Sequence, residues 1–128
     1  MSSSSMCKAM DLLALAFIGD AVHTLYVREF VTKNFRFKMD EINKIASNFC
    51  CASAQAKTLE HITPLLNEEE KEIVRKVRNI KNKHKAKNVD IMTYKKATCF
   101  EALVGYHHTN GNTERLELLL KSSLEGEI

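Results

Sequence analysis

"LALAFIGDAV", residues 13–22, sets one carboxylate, Asp20, beside Gly19 in an otherwise apolar stretch. It lies inside "MDLLALAFIGDAVHTLYVREFVT", residues 10–32, whose spacing predicts one long helix with only Gly19 against it. Glycine costs about 1 kcal/mol relative to alanine in a helix interior, so its presence points to a close approach by another element. A charge in such surroundings is costly unless it is paired, hydrated or bound to a metal. Two readings of Asp20 follow. It is either an exposed residue on a mixed helix face, with Ala16 and Phe17 one turn before it and His23 and Thr24 one turn after, or half of a built site.

Downstream, "ATCFEALVGY", residues 97–106, repeats the design: Glu101 in an apolar helix, small residues at Ala97 and Ala102, and Gly105 one turn later. Each carboxylate alone is unremarkable. Two apolar helices, each with one carboxylate and a nearby glycine, can cross closely and bring the carboxylates together. Two carboxylates stay ionised side by side when a hard divalent cation lies between them. Mg²⁺ suits such a site, because it takes one or two carboxylates plus water and substrate phosphates. The bland alternative is a pair that only perturbs each other's ionisation.

Outside these two stretches the chain reads as helical throughout. Its 128 residues fit one domain, with 45% apolar and 27% charged side chains, four Gly, one Pro and no Trp. Leu, Ala, Glu, Lys and Ile dominate, no useful strand alternation appears, and the expectation is a compact all-α domain of about five to seven helices. Helices are predicted over 39–48 and 53–61, with Pro64 interrupting the chain. Asn67 is the predicted N-cap of a fourth helix reaching Ile80, with three glutamates in its first turn. A fifth runs over 90–108, with Tyr94, Ala97, Glu101, Val104 and His108 near one face. "TNGN" is a turn, and Thr113 is expected to cap the last helix.

Residues 1–9 read as a flexible tail ahead of a single domain over 10–128. "MSSSSMCKAM" lacks the features of a secretory signal. No apolar run approaches the roughly 18 residues of a membrane span, so the expected setting is cytoplasmic with no membrane partner. Cys7, Cys50, Cys51 and Cys99 show no ligand spacing and read as reduced thiols, Cys99 in the core. His107 and His108 are consecutive and point about 100° apart on a helix, which is poor for shared metal ligation.

Charge is distributed unevenly. Residues 71–96 hold ten Lys or Arg against two acids, a balance of +8, whereas the rest carries nine basic and fourteen acidic side chains, a balance of −5. The core of this segment, "RKVRNIKNKHKAKN" (residues 75–88), has seven Lys or Arg and no acid. A solvated basic face is the ordinary explanation. The functional one is a phosphate-contacting loop whose binding weakens steeply with salt. Lys and Asn donors without aromatics suit the backbone and 2′-hydroxyls of a duplex better than stacked single-stranded bases.

"LALAFIGDAV" followed by "HTLYVR", then "RNIKNKHKAKN", then "TYKKATCFEALVGY" resembles the Mini-III ribonucleases in order and separation, over residues 10 to 124. These are small bacterial members of the ribonuclease III family that have the catalytic domain and no separate double-stranded-RNA-binding domain. The resemblance implies an all-α, ribonuclease III-type endonuclease domain acting as a homodimer on duplex RNA. It implies cleavage to 5′-phosphate and 3′-hydroxyl ends, and a role in maturing the ends of the large-subunit (23S) ribosomal RNA precursor, with possible help from a ribosomal protein. Asp20 falls at the aspartate of the family's "GDA" motif and Glu101 at the glutamate of its "FEAL" motif. By resemblance both are catalytic and hold Mg²⁺, with Mn²⁺ as a substitute. Arg78, Asn79, Lys81, Lys83, Lys85, Lys87 and Asn88 form the implied RNA-binding loop, more Lys-rich here than the family's Gly- and Pro-containing version.

Ribonuclease III enzymes outside this subfamily carry glutamates where this chain has Leu13 and Ala16, and an aspartate where it has Thr98. The Ala16 and Thr98 positions are the ones that would be metal ligands. Mini-III enzymes share this thinning, so water, RNA phosphate or another carboxylate, Glu41 being one guess, must complete the coordination. Two rival expectations stand beside the enzyme: a non-catalytic double-stranded-RNA-binding module, and an all-α interaction protein with no RNA partner.

Overall fold

The computed structural model describes residues 9–81 and 90–125, with the side chains of residues 9 and 10 left aside. The expected tail over 1–9 lies almost wholly outside the described residues, as do Lys83, Lys85, Lys87 and Asn88 of the basic loop. Among the described residues there are six α-helices and no strand: α1 (Ala9–Asn34), α2 (Met39–Cys50), α3 (Ala52–Ile62), α4 (Glu68–Arg78), α5 (Ile91–Thr109) and α6 (Thr113–Glu125). A 3₁₀ turn, Thr63–Leu65, accommodates Pro64.

Local chemistry explains the ends. Asn67 accepts from the Glu70 amide while the Glu70 carboxylate accepts from the Asn67 amide, both at 2.9 Å, so α4 starts with a complete capping box. Asp90 accepts from the Thr93 amide at 2.9 Å and caps α5. Gly111 has φ +71°, the left-handed turn that "TNGN" signals. Thr113 was expected as the cap of α6 and is instead its first residue, because the Asn112 carbonyl accepts from the Leu116 amide.

Helix α5 is the axis of the fold, with α1, α3, α4 and α6 packed around it. The run Ala97–Phe100 and Ala102–Gly105 is buried almost all round, because a central helix has no solvent side in its middle turns. Phe100, Leu103 and Val104 are fully covered and pack with Leu12, Leu15, Ile62 and Leu119. Each such side chain contributes about 1.5–3 kcal/mol of burial free energy. A smaller cluster of Val27, Val31, Ala46, Phe49 and Leu124 closes the far end of α1.

Candidate active site

The crossing of α1 over α5 is reciprocal at its two glycines. A Cβ added at Gly19 would stand 1.8 Å from the Glu101 carbonyl oxygen, and one at Gly105 would stand 1.8 Å from the Leu15 carbonyl oxygen. Backbone therefore packs directly on backbone, and no residue but glycine fits either position. This contact brings Asp20 and Glu101 together. The Glu101 carboxyl hydrogen-bonds with Asp20 and also receives a hydrogen bond from the Gln55 amide on α3.

The two acids differ in setting. Asp20 is exposed, whereas Glu101 is half-buried. The apolar look of "LALAFIGDAV" thus misplaces the cost: water solvates Asp20, and Glu101 is the carboxylate that burial penalises. Burial, followed by the hydrogen bond and charge of Asp20, pushes Glu101 up to about 8, with the Gln55 amide opposing the shift. Glu101 raised to this level keeps its proton at neutral pH in the absence of a cation. A divalent cation fits in its place, because it would relieve the repulsion that keeps that proton bound, and Asp20 opens the pair to solvent and substrate.

Beyond the pair the surroundings are spare. Ala16 is buried in the apolar core, and the Thr98 hydroxyl donates to the Tyr94 carbonyl at 2.9 Å, so neither adds a carboxylate. Among the described residues no group of three His, Cys, Asp or Glu side chains is placed to hold an ion, so Glu41 does not join Asp20 and Glu101.

Two neighbours carry no signal in the sequence. His23 on α1 is fully buried, and its Nδ1 accepts from Gln55 Nε2 at 3.1 Å. Burial lowers its pKa to about 4 against the opposing charge of Asp20, which keeps the ring neutral. Cys50 at the end of α2 hydrogen-bonds with Thr24; burial pushes its thiol up to about 11, with Thr24 opposing and Asp20 adding to the rise, so it stays a thiol. Cys99 is core as expected, with burial raising it to about 12.

Of the expected RNA-binding residues, Arg78, Asn79 and Lys81 are exposed at the end of α4 and just beyond it. Arg78 and Asn79 line a groove of about 410 Å³ together with Lys71, Arg75 and Lys95, which sequence reasoning did not single out. Lys95 belongs because it donates to the Arg78 carbonyl at 3.0 Å and ties the start of α5 to the end of α4. Lys71 and Arg75 pair with Glu68 and Glu72, so part of this charge is already balanced. Lys95 precedes Glu101 by six residues, about 9 Å along the helix axis at 1.5 Å per residue.

With this geometry established, residues 13–112 match the model of the Ribonuclease III domain family. The chain belongs to the ribonuclease III family. The Mini-ribonuclease 3 of Desulfitobacterium hafniense is 44% identical to it over 107 residues, 84% of this chain and 68% of that protein. The Mini-ribonuclease 3 of Thermoanaerobacter sp. is 42% identical over 117 residues, 91% of this chain and 82% of that one. A crystal structure of a Fusobacterium nucleatum protein superposes with a TM-score of 0.81 at 29% identity, covering 91% of this chain and 93% of the other. Ribonuclease III enzymes are generally metal-dependent, which agrees with a carboxylate pair suited to a cation. No helix among the described residues is long and apolar enough to cross a membrane.

Proposed function

We propose that this ribonuclease III-family chain is a Mg²⁺-dependent endoribonuclease that hydrolyses phosphodiester bonds of double-stranded RNA, with Asp20 and Glu101 as the protein ligands of the ion. The observation that carries this is the meeting of the "GDA" and "FEAL" carboxylates across a crossing only two glycines permit. When bound, the cation supplies activation of the attacking water and stabilisation of charge on the phosphate. The chain's own residues do the rest. Exposed Asp20 faces the substrate, and Glu101 is held from behind by α3. Arg78, Asn79, Lys81 and the groove around Lys95 hold phosphates of the duplex. Water adds to phosphorus, the P–O3′ bond breaks and O3′ takes a proton, leaving 5′-phosphate and 3′-hydroxyl ends.

The same proposal extends to a homodimer of single catalytic domains. Ala14, Phe17, Ile18, Ala21 and Leu25 form an exposed stripe along α1, with Phe17 82% and Leu25 61% exposed. A second copy related by a twofold axis covers such a stripe with its own and places two active centres on one surface. The proposed substrate is the large-subunit ribosomal RNA precursor in the cytoplasm, with a ribosomal protein as an assisting partner. Lys83, Lys85, Lys87 and Asn88 are proposed as further RNA contacts.

Cleavage of an end-labelled RNA duplex with Mg²⁺, comparing the parent with Asp20→Asn, tests the assignment. Cleavage by the parent alone, with duplex binding kept in both, is the expected result. Equal binding with no cleavage by either protein, on bare duplex and on a natural precursor with its proteins, favours the non-catalytic binding module.

A further inference from the structure

Gln55 is the single glutamine of the chain and is only 3% exposed, on the face of α3 that packs against α5. A buried primary amide has to satisfy its N–H groups: Nε2 stands 3.1 Å from His23 Nδ1, and the same side chain acts on the Glu101 carboxyl as a hydrogen-bond donor that opposes its upward shift. An amide can be turned by 180°, which would present its oxygen to Glu101 instead. A neutral imidazole can carry its proton on either nitrogen, so His23 accepts from the amide as it stands and would donate to a turned one; the Glu101 carboxylate, an acceptor only, is the group that selects the N–H side.

His23 Nε2 is buried without a hydrogen-bond partner. The ring is otherwise a packing element, T-shaped against Phe100 at 5.0 Å between centroids. A phenylalanine would satisfy the packing without an orphaned polar atom, so the polar purpose of His23 is its contact with Gln55.

We propose that Gln55 is a positioning residue for the cation site: its amide, tethered at His23, holds the Glu101 carboxylate in the direction that receives a divalent cation. This rests on Asp20 and Glu101 being the cation ligands. Groups that support a metal ligand from behind are worth about 10–100-fold in metal affinity.

Mn²⁺ binding to the RNA-free full chain, followed by the electron paramagnetic resonance of free Mn²⁺, tests the proposal in the parent, Gln55→Met, His23→Phe and Glu101→Gln. Gln55→Met should weaken Mn²⁺ binding about 10-fold. His23→Phe should weaken it less, since the amide remains but loses its tether at Nδ1. Duplex binding without metal should be unchanged in both, and cleavage should lose kcat at saturating RNA with KM for RNA unaltered. If Glu101→Gln loses Mn²⁺ while Gln55→Met binds it like the parent, the positioning role is overturned and the carboxylate site stands. If Glu101→Gln also binds like the parent, the carboxylate reading falls and the positioning role with it. Should Gln55→Met not fold, ¹⁵N-glutamine labelling of the parent gives a single side-chain NH₂ signal. Mg²⁺ should shift that signal in the parent and not in Glu101→Gln; a signal that stays in place while backbone resonances respond to Mg²⁺ overturns the proposal.

Discussion

Glu70 on α4 and Glu101 on α5 are the same residue type, one fully and one half withdrawn from water, and their ionisation moves in opposite directions. Glu70 is fully buried. Its carboxylate takes Nε and an Nη of Arg115 at 2.7 and 2.6 Å, His107 Nε2 at 2.7 Å and the Asn67 amide at 2.9 Å. Burial pushes Glu70 up, but the Arg115, Asn67 and His107 hydrogen bonds together outweigh it and hold the carboxyl below the usual range. Glu101 has one amide donor and one like-charged neighbour, and it is pushed up to about 8. A carboxylate surrounded by donors is finished by the fold and ties α4, α5 and α6 together. A carboxylate facing another carboxylate lacks such donors, and the proposed cation would supply the missing charge.

Paired substitutions sharpen this contrast. Glu101→Gln should lower duplex cleavage by about three orders of magnitude or more, on the scale of several kcal/mol of lost metal catalysis. Glu70→Gln should leave cleavage within a few-fold of the parent when assayed well below its melting temperature. A large loss in Glu70→Gln would merge the two sites into one and break the comparison.

The crossing that creates the incomplete pair should be the least tolerant part of the backbone. Gly19→Ala and Gly105→Ala each force a Cβ into a facing carbonyl. Each should destabilise the protein by about 3 kcal/mol or more, or prevent folding, as read by urea unfolding. A folded Gly19→Ala protein within 1 kcal/mol of the parent would mean that α1 and α5 can separate without loss (on the order of surface-substitution effects).

In stability the ranking of the two glutamates reverses. Glu70→Gln should cost about 2–3 kcal/mol, because it leaves Arg115 and His107 without their shared anion. Glu101→Gln should be neutral or stabilise metal-free protein by about 1 kcal/mol, since a repulsive pair is removed. Melting curves in EDTA distinguish these outcomes.

Acidity separates the same two groups. Glu70 has a lowered folded pKa, so its contribution is present above its unfolded value of 4.5 and is lost as pH falls through the folded value. Glu101 behaves oppositely: between 4.5 and about 8 the unfolded chain has released a proton that the folded one keeps. Metal-free stability from this group therefore falls as pH rises through that window. The melting-temperature gap between Glu101→Gln and the parent should widen over the same range, and saturating Mg²⁺ should reverse its sign. His23 adds a loss of stability as pH falls from 6.5 towards 4, where the unfolded ring charges and the buried one does not.

The smallest expected effect concerns the exposed stripe of α1. Phe17→Ser should change monomer stability by less than about 0.5 kcal/mol yet weaken self-association in a sedimentation experiment. Unchanged association would remove α1 as the covering surface.

The candidate site was legible where its signal was local. Two glycine–carboxylate pairs in apolar helices announced the crossing, and motif order announced the family. Gln55 and His23 were not legible. A glutamine amid alanines and a histidine in an amphipathic run look like surface residues until α3 lies against both α1 and α5. The glutamates at 68–70 looked alike as a charged first turn, and only the distant Arg115 and His107 single out Glu70 as an anchor. His107 and His108 illustrate the same limit, one buried on Glu70 and its neighbour exposed.

From the sequence alone came the helices, the Asn67 and Asp90 caps and the glycine positions. These depend on backbone sterics and hydrogen bonds between residues a few places apart. The pairing of the two carboxylates was expected, but its asymmetry was decided by tertiary structure. Which acid is solvated, which is held by an amide, and which glutamate is neutralised by an arginine 45 residues away depend on how much water each helix face loses on packing. Desolvation is set by neighbours in space, and the order of residues along the chain does not encode it.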